Sequence, residues 1–587
     1  MPSPSLDDLK TPANGQIFGL DGPLTDATIR AAFTKASTVA DGQNVAEIVR
    51  ERRTSGALEY WASFVCFPVR KPPAFLPQTH LLEETFGFLL ILEMEVWRKW
   101  HLGIFKHGGS SIGPWLESVA KPLPRRQLTN AFSSSSAVPR LSVKRITASR
   151  YELYGASYEG SDLQDTAPML AASRSVIRTV HFRDPHAHTF GVTVSTSRVQ
   201  RSGGRCAVSE LAALVNEVAK KSRANKKSAF LSSFAQAVEI GELPAKCQPT
   251  SVLFDWTDLL DDGDLELYRT PGRGQPISKT VPKELVSRLL GEPLLVNPDG
   301  AEWIFGPPNT PRGTISLTKT RFSVSSILGN KVVVHNVTTT DTMPLTRWVR
   351  ESEHYKITFS DSSFAFVNGT LCRKADFQQE VDTVRRALRE APSLLVATSE
   401  KGNPARTATA FPPHSIFHAV EAAIYPNHRW LCCLDLGDEW ADFLCIENDN
   451  IIFVHCKHGD STTSASALHE VVGQALKNLS RAQSTPAEFS RRFSASRDTR
   501  YWAHRRIRRL RGRGARWNAF EHDVIDLIGT PSAGREVHIV QTMLSKGDFD
   551  NAAESPRPHF IQLVWLLASF ISSCREMAAK PVIICRP

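Results

Sequence analysis

The clearest pattern of apolar and polar positions in this chain lies between residues 441 and 457. Ala441 to Ile446 is an apolar run of strand length, and Ile451 to Cys456 is a second. Between them stands Glu447-Asn448-Asp449-Asn450, a cluster rich in turn formers. The two runs predict an antiparallel hairpin. A four-residue loop, or a two-residue turn at Asn448-Asp449, pairs Asp442 with His455. A two-residue turn at Asp449-Asn450 pairs Asp442 with Lys457. Side chains alternate with period two, so every one of these registers puts Asp442, His455 and Lys457 on one face. Leu444, Ile446, Ile451 and Phe453 share that face and cover the core, which leaves the polar trio at the open end.

The period then changes. After a loop-like stretch from His458 to Thr463, Ser464 or Ser466 suits a helix N-cap. Leu468, Val471, Val472, Ala475, Leu476 and Leu479 recur at helical spacing. Glu470, Gln474 and Lys477 form a separate polar stripe, which faces the trio if the helix packs on the hairpin. The same stripe also suits the solvated side of an ordinary amphipathic helix. Upstream, Ser415 to Ile424 reads as a helix carrying Glu421. Downstream, Glu536 to Met543 reads as a strand and Lys580 to Cys585 as a closing strand. Phe560 to Cys574 is apolar and uncharged, but its fifteen residues fall short of a bilayer span and predict a buried helix.

The first 400 residues give shorter signals. Phe86 to Trp97 and His101 to Lys106 predict a pair of strands, and Arg150 to Tyr158 and Ser175 to Phe182 two more. Ser133 to Ser136 is a flexible break, and Val208 to Lys221 is a helical pattern ending in a basic cluster. Boundaries near 135, 240 and 390 divide the chain into α+β regions at 1–135 and 136–240, a β-rich region at 241–390, and a C-terminal α/β domain at 391–587.

An acid, an imidazole, an amine and an amide brought to one place suit phosphodiester hydrolysis. That reaction needs one or two divalent ions to position water and neutralise developing charge. Mg²⁺ prefers carboxylate and water oxygens, and Asp442 is the natural ligand. Lys457, its stem among apolar neighbours, suits stabilisation of the phosphate's developing charge.

Residues 400–587 resemble the PD-(D/E)xK nuclease superfamily, whose restriction-endonuclease-like core is a helix, a β-meander, a second helix and a further strand. Asp442 matches the superfamily's first acid and Lys457 its lysine. His455 stands where the second acid is usual. The His-Cys-Lys triplet, with the Glu470-Val-Val-Gly-Gln-Ala-Leu-Lys477 helix after it, is similar to a group found in bacterial defence loci. The resemblance implies catalytic roles for Asp442, His455, Lys457 and Gln474. It implies a Mg²⁺ or Mn²⁺ cofactor, and DNA cleavage in anti-phage or anti-plasmid defence, beside a partner such as a helicase or argonaute. The imidazole at 455 is a poor Mg²⁺ ligand. Three outcomes stay open: a carboxylate from Glu421, Glu439 or Glu470 completes the metal site, the site works with Mn²⁺, or the fold only binds nucleic acid.

Charge sharpens the expectation of a nucleic-acid partner. Between Arg491 and Arg516 stand eleven arginines against one acid, Asp498, with Phe493, Tyr501, Trp502 and Trp517 interleaved or adjacent. Arginine forks bind phosphates and aromatic rings stack on bases. The candidate phosphate contacts are Lys477, Arg505, Arg506, Arg508, Arg509, Arg511 and Arg513. An exposed basic segment with no such role is the plainer reading. The net charge of +10 over 587 residues is modest, so the basic character is local. Ten cysteines show no C-x-x-C spacing, which suits a reducing cytoplasm. No signal-peptide pattern, P-loop or dinucleotide glycine pattern is present, so the chain is not expected to drive itself with ATP, and a motor, if one is needed, comes from another subunit.

Overall fold

In the computed structural model, the described residues are 5–40, 42–71, 80–132, 136–148, 154–168, 170–185, 188–194, 196–223, 228–254, 265–269, 293–299, 302–306, 312–318, 321–336, 342–352, 354–367, 369–435, 440–496, 500–512 and 515–587. They form two compact units, Met1–Leu163 with Arg174–Ala375, and Gln164–Ser173 with Asp376–Pro587.

The first unit is built on β-sheets. Strands from Lys10–Leu20 to Arg198–Ala207 make an eleven-stranded antiparallel sheet, and strands from Gln236–Ala237 to Thr370–Arg373 make a nine-stranded one. The pair expected at 86–97 and 101–106 is the hairpin Glu83–Val96 and Lys99–His107. The helix expected at 208–221 is Val208–Ser222. It sits so close to the sheet that a Cβ on Gly103 would meet Val215 Cγ2 at 2.5 Å. The strand expected at 150–158 is Gly155–Glu159, with 150–153 outside the described residues. An expected break near 240 coincides with a change of sheet, not of unit. Ile146, Val176 and Ala235 pack with Ala365, Val367 and Cys372, so apolar burial ties the two sheets together. A cleft of about 690 Å³ opens in this unit beside Trp61, Trp97, Glu95 and Lys220.

The second unit starts at 376 rather than near 390. Helix α1 (Phe377–Ala387) belongs to it, with Phe377 edge-on to Phe560 at 6.4 Å between ring centroids. Its strands are β1 (Leu388–Glu390), β2 (Trp430–Cys433), β3 (Phe443–Glu447), β4 (Asn450–Lys457), β5 (Leu510–Arg511), β6 (Gly534–Ser545) and β7 (Lys580–Arg586). They form one sheet in the order β1-β7-β6-β4-β3-β2-β5. β2, β3 and β4 are an antiparallel meander, and β4, β6, β7 and β1 run parallel. Helix α2 (Ile416–Ala419), continued by a π turn at Val420–Ile424, precedes the meander. Helix α3 (Ala465–Asn478) follows β4. Then come α4 (Pro486–Ser496), α5 (Trp517–Gly529), α6 (Lys546–Glu554) and α7 (Pro558–Glu576).

Both sheet faces are covered, as parallel strands require. Leu444, Ile446, Ile451 and Phe453 pack under α3 and α7 through Leu468, Val471, Val472, Leu563, Val564 and Leu567. Phe443, Cys445, Ile452 and Val454 face the other layer, with Phe417, Val420 and Tyr425. The apolar run at 560–574 lies inside α7, buried by this packing. Among the described residues no helix is long and apolar enough to cross a membrane.

The hairpin adopts the two-residue turn. Glu447 pairs with Asn450, and Asn448 and Asp449 take left-handed φ values of 48° and 61°. Asn and Asp tolerate that region better than other side-chain-bearing residues, and the resulting turn matches the strands' twist.

Candidate functional site

The ladder between β3 and β4 is regular as far as Phe443 opposite Val454. There it slips. The Asp442 N–H donates to Val454 O at 3.0 Å, so Asp442 and Phe443 oppose the same residue, as in a β-bulge. The slip corrects the expectation that strict alternation carries through Asp442. Its carboxylate instead lies along the strand end and accepts from the Cys456 N–H at 2.7 Å. Asp442 is thereby tied to the residue next to Lys457, although it does not share a simple face with His455.

His455 follows Ile451 and Phe453 into the layer beneath α3. It is 3% exposed, and burial, helped by the Lys477 charge, pushes its pKa down to about 4. It is therefore a neutral core imidazole at ordinary pH. Lys477 itself is exposed on α3, and Gln474 is half-buried on the same helix.

Lys457 is half-buried. Its ammonium bonds Glu470 Oε1 at 2.6 Å and lies 3.9 Å from Glu400 Oε2. Glu470, proposed as a metal ligand, is thus the lysine's partner. Glu400 opens a cluster that reasoning from sequence missed. Ile416 N–H donates to Ser399 O and Phe417 N–H to Glu400 O, each at 3.0 Å, which lays residues 399–400 beside the start of α2. Gly402 makes the bend possible. Its φ is +69°, and a Cβ there would meet Pro412 Cγ at 2.7 Å.

The bend brings Lys401 to the end of β2. Its ammonium bonds Asp435 Oδ1 at 2.9 Å, lies 3.5 Å from Glu400 Oε1, and sits over the Phe417 ring at 5.3 Å. Burial alone lowers the Lys401 pKa. The Asp435 hydrogen bond and the Asp435, Asp442 and Glu400 charges outweigh it, and the net shift is upward. Asp435 is held a second time, by Trp502 Nε1 at 2.7 Å. Glu400, Asp435, Asp442 and Glu470 set four formal negative charges against the two of Lys401 and Lys457, a balance of −2.

Other candidates lie elsewhere. Glu421 leaves the π turn toward β5, where Arg511 Nη2 lies 3.2 Å from Oε1 and donates to Oε2 at 3.5 Å. The shorter approach lacks hydrogen-bond geometry, so Oε1 has a counter-charge without a directed donor. Burial pushes the Glu421 pKa up to about 7 against the pull of Arg511. This carboxylate is committed to arginine rather than to the Asp442 cluster. Glu439 lies outside the described residues.

The arginine run folds into an edge hairpin, with Tyr501 opposite Arg508 and β5 paired to β2. Several of the candidate phosphate contacts are internal ties. Arg509 is 1% exposed, donates from Nε to Cys433 O at 2.9 Å, and stacks over Trp517 at 5.6 Å. Arg505 donates to Pro404 O and Ala503 O, both at 3.0 Å. Arg506 and Arg508 are exposed, and Arg513 lies outside the described residues. Of the interleaved aromatics, Phe493, Trp502 and Trp517 are spent on packing, and Tyr501 is exposed. Phe493 stacks on Phe489 at 4.1 Å, and Trp502 packs edge-on to Phe411.

No known family model matches this chain, and no curated protein matches it.

A second titratable chain is closed. Tyr425 Oη meets His538 Nδ1 at 2.7 Å, and His538 Nε2 meets Glu536 at 2.8 Å. His538 and Tyr425 are buried and each has a partner, so this is a satisfied core network.

For a hard divalent ion, the oxygen donors are Asp442, Asp435 and Glu400, which suit Mg²⁺ or Mn²⁺ better than sulfur or imidazole would. Among the described residues no three ligating side chains are already gathered into a cage. Asp435 and Glu400 stand at the Lys401 ammonium, and Asp442 acts on it only through its charge. The donors are the hard oxygens such an ion prefers, but the described acids are not gathered round one position.

Proposed function

We propose that the second unit is a metal-dependent nuclease that cleaves DNA phosphodiester bonds. The observation that carries this reading is the 2.7 Å bond from Cys456 N–H to the Asp442 carboxylate, which fixes an acid beside the residue bearing the Lys457 ammonium. The helix, meander, helix and strand order of α2, β2–β4, α3 and β6 supports it. So does the charge balance. A patch at −2 repels a phosphodiester until a divalent cation neutralises it.

Asp442, Asp435 and Glu400 would hold the ion, which supplies Lewis-acid activation of the phosphoryl group and of water. Lys457 then offers its ammonium to the phosphate oxygens, exchanging Glu470 for substrate. Glu470 is exposed on α3, so the exchange costs little desolvation. His455 orients nothing by charge, being neutral, and fills the core below.

The test is cleavage of plasmid DNA with Mg²⁺ or Mn²⁺. Asp442→Asn and Lys457→Ala each lower the rate by about 10²–10³-fold. Variants that cut as fast as the parent would remove the reading. The second reading is a nucleic-acid-binding protein without turnover, favoured by the neutral His455 at the usual acid position. It expects salt-sensitive DNA binding, weakened when Arg506 and Arg508 are neutralised, and no cleavage with either ion. A part in anti-phage or anti-plasmid defence, with a helicase or argonaute partner, rests on the resemblance alone. Plaque counts on a bacterial host expressing the chain test it.

A further inference from the structure

The first unit has a cleft of about 690 Å³ whose walls carry indole rings and charged groups. Trp61, Trp97, Glu95 and Arg98 line it from the sheet, and Asn216 and Lys220 from the helix Val208–Ser222. The two indoles differ. Trp61 is half-buried, with the Trp100 ring 5.3 Å away and the Arg50 guanidinium 5.9 Å from its centroid. Trp97 is 58% exposed. We infer that this cleft binds a nucleotide: a base stacks on the Trp97 indole, and Arg98 and Lys220 take the phosphate.

The turn that bears Trp97 is built in an uncommon way. Val96 pairs with Lys99, so Trp97 and Arg98 form a two-residue hairpin turn, at φ 51° and 61°. Asn and Gly adopt that left-handed backbone with less strain, and a bulky ring there is an outlier. Strain of this kind persists where the surroundings hold it. Arg223 does so twice. It donates from Nη1 to Trp97 O at 3.0 Å, and its guanidinium lies 5.8 Å from the ring centroid. The indole is therefore fixed, with Arg223 against one face and more than half of the residue still bare. A fixed, bare ring is what base stacking needs.

Charge selects the rest of the ligand. Glu59 also lines the cleft, but Arg52 Nη2 bonds both its oxygens, at 3.0 and 2.9 Å. Arg98 and Lys220 are exposed and have no acid partner among the described residues. Arg52, Arg98, Lys220 and Arg223 thus set four positive charges against the two of Glu59 and Glu95, a balance of +2. That balance favours an anion over a cation, and phosphate is the anion that arginine and lysine both bind. Glu95 and Asn216 then face the polar edge of the base. A carboxylate accepts from a base amino group, and an amide both donates and accepts.

The experiment is calorimetric titration of the full-length protein with adenosine monophosphate, guanosine monophosphate and a short single-stranded DNA, in EDTA. No divalent ion is present, so the outcome is independent of the nuclease reading. Trp97→Ala weakens binding by about tenfold or more, the loss of one base stack. Trp97→Phe keeps a stacking ring and stays within about threefold of the parent. Lys220→Met weakens binding by about threefold or more and flattens its salt dependence. A loss confined to the mononucleotides makes the ligand a free nucleotide. A loss for the DNA, alone or with them, makes it a nucleotide within a strand. No binding tighter than about 1 mM, or binding that Trp97→Ala leaves unchanged, overturns the inference. A loss as large in Trp97→Phe as in Trp97→Ala makes Trp97 a turn residue and overturns it as well. So does binding of tetramethylammonium in place of nucleotides, which would make the cleft a cage for a cation. If Trp97→Ala does not fold, the exposed Lys220→Met decides, and its unchanged affinity overturns the inference.

Discussion

The second unit carries two charged regions on one sheet, and they are built in opposite ways. At the ends of β3 and β4, carboxylates outnumber cations, and the cations are lysines on flexible stems. At the β2–β5 edge, arginines outnumber acids, and the forks of Arg509 and Arg511 are turned inward. Arg509 clamps Cys433 O, and Arg511 takes Glu421. Lysine pairs at a half-exposed patch exchange partners at little cost, whereas a buried guanidinium bound to a carbonyl does not. The density of charge in a sequence therefore does not tell ties from free cations. Arg505, Arg509 and Arg511 are architecture, Arg506 and Arg508 are exposed, and the sparse lysines lie among the carboxylates.

The sharpest way to break this comparison is to neutralise one acid from each region. Asp442→Asn keeps an acceptor for the Cys456 N–H and removes the charge. It lowers DNA cleavage by about 10²–10³-fold. Glu421→Gln leaves cleavage within about threefold of the parent, since its partner is Arg511. Both rates come from the same supercoiled-plasmid assay. Equal losses would make Glu421 a ligand and merge the two regions into one site.

The next effect is on stability and belongs to the closed edge. Arg509→Ala deletes a side chain that is 1% exposed, its bond to Cys433 O and its stacking on Trp517. The loss is about 2–4 kcal/mol, from cavity and hydrogen-bond terms together. Urea unfolding measures it. A variant as stable as the parent would mean that Arg509 is not an internal tie and would return it to the phosphate-binding candidates.

What the sequence reveals about these regions follows from locality. The hairpin turn was open to reading because Asn448 and Asp449 suit left-handed backbone and sit between two apolar runs. The α3 stripe was open because helical spacing repeats over about three turns. Asp442 escaped the alternation argument because one slipped hydrogen bond, Asp442 N–H to Val454 O, defeats a period of two. Glu400, Lys401 and Asp435 gave no pattern at all. They meet only because the chain at 399–400 hydrogen-bonds to 416–417, a contact set by tertiary packing. The edge hairpin turns through Ala503 and His504 at φ 43° and 60° with no glycine to announce it, so the arginines read as a solvated run.

Acid sensitivity sharpens the picture under the open patch. His455 has a folded-state pKa of about 4 against the ordinary 6.5. A depressed pKa contributes stability that is present above about pH 6.5 and is lost as pH falls through 4. The full shift corresponds to about 3–4 kcal/mol. Burial lowers the His538 pKa too and adds to the same slope. His455→Gln should flatten the fall in unfolding free energy between pH 6.5 and 4, leaving the His538 share. An unchanged slope would mean that His455 reaches solvent.

The closed edge titrates with the opposite sign and a smaller net effect. Burial raises the Glu421 pKa from 4.5 to about 7, with Arg511 pulling the other way. A raised carboxyl pKa means that the folded state holds its proton more tightly than the unfolded chain. The stability it contributes is whole below about pH 4.5 and is lost as pH rises through 7. Glu421→Gln removes that loss, and the missing counter-charge of Arg511 weighs on the variant equally at both pH values. The variant therefore gains about 2–3 kcal/mol on the parent between pH 5 and pH 8. Urea titrations at the two pH values measure the difference. A variant shifted equally at both would mean that Glu421 ionises as freely in the folded chain as in the unfolded one, and that the arginine edge is open to water after all.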